Sequence, residues 1–140
     1  MSKNSWKIHK FGGSSLTDAD CFERVGDIVT SMRHDRIGVV VSAMGGMTNQ
    51  LLALISIAQE GNAVGDLLKE IGHRYSQTCE SLVQGEVKKN LLSQWDTDAH
   101  DIECLLNKMV GAESVSDRSS DIIAGFGELW SARLLAAHLA

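Results

Sequence analysis

The sequence predicts an α/β fold: the N-terminal part of a parallel sheet sandwiched by helices, with a helical insertion at about 62–110. Three observations predict it. Two short segments that read as strands each run into a glycine pair, at Gly12-Gly13 and Gly45-Gly46. After each pair the apolar residues change to helical spacing. Two long amphipathic stretches then follow with no strand between them.

The elements read in order as follows. Trp6 to Phe11 is a short strand that runs into the first glycine pair. Thr17, with Asp20 three residues on, resembles a helix-capping pair with an acid in place of the usual Glu or Gln. Phe22, Val25, Ile28 or Val29, and Met32 then recur on one helical face. Ile37 to Ala43 is the clearest strand, and its Val39-Val40-Val41 run predicts burial on both faces. Thr48 to Glu60 gives a second helix, with Leu51, Leu52, Leu54, Ile55 and Ala58 as apolar positions. Strand, turn, helix, twice over, argues for parallel pairing through right-handed crossovers.

Residues 62–84 carry Val64, Leu67, Leu68, Ile71, Tyr75, Cys79 and Leu82 at helical spacing. Residues 86–110 carry Val87, Leu91, Trp95, Ile102, Leu105, Leu106 and Met109, with a break expected near Asp96-Thr97-Asp98. Ser114 to Arg118 reads as a loop, and Asp121 to Ala140 as helix interrupted by Gly125 and Gly127. The chain has no proline, so helices must stop at glycines, as at Gly61, Gly85 and Gly111.

Bulk properties narrow the function classes. A length of 140 residues suits one domain with a real core. A formal net charge of -5 disfavours nucleic acid as a partner, so an anionic ligand would need local donors and cations. Cys21, Cys79 and Cys104 stand far apart, which indicates no zinc or redox pair, and the five histidines show no metal spacing. No apolar run reaches the roughly 18 residues of a membrane span, and the first ten residues have no signal-type core. A cytoplasmic location with no membrane partner is the expectation.

Three strings carry possible chemistry. In Lys10-Phe11-Gly12-Gly13-Ser14-Ser15 a strand delivers a lysine and two glycines just before a helix. Glycines admit a ligand close to the backbone, and successive N–H groups at a helix start cradle an anion. A plain turn with a solvated lysine is the common alternative. The string is neither a Walker A loop nor a dinucleotide fingerprint. Ser42-Ala43-Met44-Gly45-Gly46-Met47-Thr48-Asn49 repeats this layout at the second strand's end, on the sheet edge where open α/β folds bind ligands. Thr48 or Asn49 could cap the helix or meet a carboxylate. In Gly125-Phe126-Gly127-Glu128 two glycines sit inside a helix, each costing up to about 1 kcal/mol, which points to close packing or ligand approach. Glu128 could grip an ammonium group there, or lie on the surface. Arg133, five residues on, could pair with it.

Together and in this order, the three strings resemble the aspartate kinase family within the amino-acid kinase superfamily. His9-Lys10, Thr48-Asn49-Gln50-Leu51 and Glu128-Leu129-Trp130-Ser131-Ala132-Arg133-Leu134 are most similar to the branch fused to a homoserine dehydrogenase. The resemblance implies transfer of the ATP γ-phosphoryl to the β-carboxylate of L-aspartate. Mg2+ would bridge the phosphates, and NADP would be needed only where a dehydrogenase is attached. It implies that Lys10 stabilises the transferred phosphoryl as the catalytic cation. Gly12, Gly13, Ser14 and Ser42 would line the phosphates, and Thr48 and Glu128 would hold the aspartate carboxylate and ammonium. The family's catalytic domain continues past a Gly-Arg-x-Gly-Ser-Asp segment that is absent here. Residues 1–140 are therefore expected to be its incomplete N-terminal portion, inactive or nearly so alone, in a homo-oligomer. The alternatives are a non-catalytic assembly module using the 62–110 helices, with Leu91 and Trp95 as anchors, or another amino-acid kinase.

Overall fold

The computed structural model describes residues 5–34 and 36–140. Strand β1 (Lys7–Phe11) pairs in parallel with β2 (Ile37–Val41), Lys7 opposite Ile37 and Phe11 opposite Val41. Helix α1 (Ala19–Ser31) crosses between them, and α2 (Met47–Gln59) follows β2. Helices α3 (Gly65–Leu82), α4 (Gly85–Asn107) and α5 (Asp117–Leu139) complete the chain. This is the α/β order expected, with α3 and α4 filling the inserted stretch.

The sheet has two unlike faces because side chains alternate along a strand. Phe11, Val39 and Val41 point to the core, and Val39 and Val41 meet Ala132, Leu135, Ala136 and Leu139 of α5 across a narrow cleft. Ile8 and Val40 face the other way and are 61% and 50% exposed. The valine run was expected to be buried on both faces. Only one is covered, because no helix among the described residues lies over Ile8 and Val40.

The helices interlock through a continuous apolar core that includes Leu16, Phe22, Leu51, Leu54, Ile71, Tyr75, Ile102 and Trp130, all 1% exposed or less. Trp95 of α4 lies against Gly72 of α3, where an added Cβ would stand 2.6 Å from the ring's Cζ2. The ring of Trp95 also sits 6.2 Å from that of Trp130. Leu91 is buried as well. The two residues expected as anchors for a partner are thus used inside the chain. Burial also pushes the Cys79 thiol up to about 11, so this cysteine stays protonated near neutrality.

Local signals placed most helix ends, with two shifts: the α1 cap, and α5, which starts at Asp117 rather than Asp121 because the Ser116 hydroxyl caps it by accepting the Ser119 N–H at 3.2 Å. The junctions fall at Gly61, Gly85 and Gly111, all with left-handed backbone. Helix α4 runs unbroken through Asp96-Thr97-Asp98 because Ala99, Ile102 and Leu106 continue its buried face. The cap of α1 is Asp18, whose carboxylate accepts the Cys21 N–H at 3.0 Å, not Thr17. That N–H holds the Asp18 carboxyl below its usual range. The Thr17 hydroxyl donates instead to the Gly13 and Ser14 carbonyls at 3.4 and 3.3 Å.

Candidate functional site

Parallel pairing brings both glycine turns to the carboxyl edge of the sheet, and there they touch. After β1 the chain makes a 3-10 turn (Gly13–Ser15), with the Ser15 N–H donating to the Gly12 carbonyl at 2.9 Å. A Cβ on Gly13 would stand 3.0 Å from the Ala43 carbonyl oxygen and 3.6 Å from the Gly45 Cα. A Cβ on Gly45 would in turn lie 3.2 Å from the Gly13 carbonyl and 2.9 Å from the Thr17 hydroxyl. Any side chain at either position would push the two turns apart. The Ser42 N–H donates to the Phe11 carbonyl at 3.1 Å, which extends the strand pairing up to the turns.

Helix α2 starts from this contact. Its N-cap, Gly46, has φ 78 and supplies no side-chain cap, a conformation that an L-residue rarely adopts. Thr48 stands in the first turn, half-buried, without the capping role that is the ordinary explanation for a threonine there. The opening N–H groups and the positive end of the helix dipole therefore face the glycine turns.

The third string reaches the same place. Gly127 is buried in α5, and a Cβ on it would lie 2.8 Å from the Ala43 Cβ and 3.4 Å from both Leu51 and Met47. Its neighbour Glu128 is exposed beside this contact. Gly125 has nothing within 4 Å of an added Cβ. The two glycines therefore differ in kind. Replacing Gly125 by alanine is expected to stabilise the chain by up to about 1 kcal/mol through helix propensity. At Gly127 the same change meets an Ala43 Cβ fixed to the backbone, so overpacking of about 1–3 kcal/mol outweighs that gain. Urea unfolding of Gly125→Ala and Gly127→Ala should move the midpoint in opposite directions; equal shifts would refute the close approach at Gly127.

Of the residues singled out from sequence, Gly12, Gly13, Ser14, Ser42, Thr48 and Glu128 lie at or next to this convergence. Lys10 is exposed near the carboxyl end of β1, opposite Val40 and two residues before Gly12. Arg133 does not pair with Glu128. Its Nη1 donates to the Asp98 carboxylate at 2.6 Å, and that carboxylate also accepts the Trp130 indole N–H at 2.9 Å. Asp98 escaped the sequence reading, since one acid among the polar residues of a helix gives no sign of a tertiary partner. Arg74 escaped it too. Its Nη2 donates to the Thr17 carbonyl at 2.9 Å, from α3, and it borders a groove of about 250 Å3 beside the turns.

Among the described residues no group of three His, Cys, Asp or Glu side chains gathers to hold a metal ion. No helix among them is long and apolar enough to cross a membrane.

Comparison with known proteins agrees with this geometry. A maize protein, bifunctional aspartokinase/homoserine dehydrogenase 1 of the chloroplast, is 33% identical over 131 residues, 93% of this chain and 14% of that protein. Bifunctional aspartokinase/homoserine dehydrogenase 2 of Escherichia coli K12 is 32% identical over 134 residues, 95% of this chain and 16% of that protein. The chain thus spans about a sixth of these relatives or less. Among solved structures, E. coli aspartokinase III in complex with aspartate and ADP superimposes with a TM-score of 0.77 at 30% identity, covering 94% of this chain and 28% of that one. The model of the amino acid kinase family matches residues 5–140. The chain belongs to the amino acid kinase family.

Proposed function

We propose that residues 1–140 are the N-terminal portion of an aspartate kinase catalytic domain. The observation that carries this reading is the mutual contact of the Gly13 and Gly45 turns, with Gly127 seated on Ala43 beside them. Three strings distant in sequence meet where open α/β sheets bind ligands. The relatives named above supply the reaction class. One oxygen of the aspartate β-carboxylate attacks the γ-phosphorus of ATP, the bond to the β-phosphate oxygen breaks, and ADP leaves with that electron pair.

Such a transfer asks the protein for positioning and for positive charge, with no covalent intermediate. Lys10 meets the charge on the transferred phosphoryl. Gly12, Gly13, Ser14 and Ser42 offer backbone and hydroxyl donors to the phosphates. Thr48, at the start of α2, takes an aspartate carboxylate, and Glu128 takes the ammonium. Mg2+ would be required with the nucleotide, where it would offset phosphate charge. NADP belongs to the protein only if a homoserine dehydrogenase follows, as it does by name in the two bifunctional relatives. We further place the protein in the cytoplasm, consistent with three free cysteines, and in a homo-oligomer.

The test is direct. The full-length protein, given aspartate and ATP with Mg2+, should form an acyl phosphate that hydroxylamine traps as the hydroxamate. ATP consumed only with glutamate or carbamate as acceptor, and none with aspartate, would move the protein to another branch of the family.

A further inference from the structure

Arg74 belongs to α3, in the inserted helical layer, and nothing in the reaction above uses it. Its guanidinium nevertheless reaches both glycine turns. Nη2 donates to the Thr17 carbonyl at 2.9 Å, and Nη1 lies 4.0 Å from where a Cβ on Gly46 would stand. Thr17 is itself the spacer between the turns. Its hydroxyl donates to Gly13 and Ser14 on one side, and stands 2.9 Å from a Cβ position on Gly45 on the other. Among the described residues, the ion pairs within 4.0 Å are Lys89 with Glu86 and Arg133 with Asp98, so Arg74 has no such partner. A separate bond ties α3 to α2 nearby, with Gln50 of α2 donating to Glu70 of α3 at 3.0 Å.

A half-buried guanidinium whose hydrogen bond goes to a main-chain carbonyl holds that segment in place rather than neutralising a carboxylate on it. We infer that Arg74 is a positioning residue that locks the gap between the glycine turns at Gly13 and Gly45 by holding Thr17 from α3. The inference rests on the aspartate kinase reading for its catalytic consequence, but its structural half stands apart from it. The consequence is that the helical layer sets the cradle's width, so a loose cradle costs turnover before it costs folding.

Two measurements on the full-length protein decide the matter. Hydrogen exchange should show the Ser15, Leu16 and Met47 amides opening about tenfold faster in Arg74→Ala, the loss of one hydrogen bond, with α4 and α5 unchanged. Arg74→Lys, which keeps one donor, should recover part of that protection. Turnover should fall in the same order, alanine below lysine below arginine, with the KM values for both substrates nearly constant. Unchanged protection at the turns would overturn the assignment, as would a loss spread evenly over all helices. So would a rise confined to the KM of one substrate with the turns still protected, which would make Arg74 a direct ligand. If the parent protein shows no aspartate kinase activity, the functional reading falls, and the exchange result still decides the role of Arg74.

Discussion

Replacing Lys10 by alanine in the full-length protein is expected to cut kcat/KM for aspartate phosphorylation by about a hundred- to a thousandfold, the usual cost of losing one donor aimed at developing charge. Folding should hardly notice. Lys10 is exposed in β1 and forms no ion pair among the described residues, and surface changes of that kind cost about 0.5 kcal/mol or less. The pairing of a large kinetic loss with an intact unfolding curve is what separates a charge in the reaction from a charge in the scaffold. If the variant keeps full turnover, the phosphoryl must be met by some other cation and the role assigned to Lys10 is void. If turnover and stability fall together, Lys10 matters for the sheet and not for chemistry. The strand pairing makes the second outcome unexpected, since the backbone of Lys10, not its side chain, forms the ladder with Val40.

The second large effect is on stability. Asp98→Ala should cost about 3 kcal/mol in urea unfolding, at an unchanged dependence on denaturant. The estimate weighs two donors that lose their acceptor. The Trp130 indole is 1% exposed, so its N–H cannot turn to water and bears the full penalty of about 1–3 kcal/mol. The Arg133 side chain is 31% exposed and can re-solvate, so its share is smaller than that of a fully buried pair. Asp98→Asn keeps an acceptor while losing the charge and should fall between. Trp130 fluorescence offers a parallel readout, because the Tyr75, Trp95 and Phe126 rings all lie about 6 Å from its centre and shift with it. A loss below about 1 kcal/mol would mean that solvent reaches Trp130 and that the network is peripheral.

The comparison of sequence with structure divides along a physical line. What is set by neighbours in the chain could be read. The valine run gave the second strand, the alternating Trp6, Ile8 and the approach to Gly12-Gly13 gave the first, the glycine pairs gave both turns, and Gly61, Gly85 and Gly111 gave the helix stops. The meeting of Gly13, Gly45 and Gly127 was readable in outline, because parallel strands put their carboxyl ends together and two glycines inside a helix ask for a close neighbour. What is set by contact between distant helices was not readable. Asp98 and Arg133 are 35 residues apart, and Arg74 and Thr17 are 57. In both cases a polar residue on an otherwise solvated helical pattern meets its partner only after packing. The one-residue error at the α1 cap has a local cause. Thr17 and Asp18 can both cap, and the Thr17 hydroxyl is taken by the Gly13 and Ser14 carbonyls, leaving the aspartate for the helix. The supposed break at Asp96-Thr97-Asp98 failed because three polar residues do not end a helix whose next turn still buries Ala99 and Ile102.

The uncovered side of the two-strand ribbon has a practical corollary. Trp6 at 63%, Ile8 at 61% and Val40 at 50% exposure make one greasy stripe on a sheet that has two strands among the described residues. Handled as an isolated piece, this polypeptide is expected to stick to itself through the open face of β1 and β2. A threonine in place of Val40 would break that stripe with a hydroxyl, keep the β-branched shape and add no charge opposite Lys10.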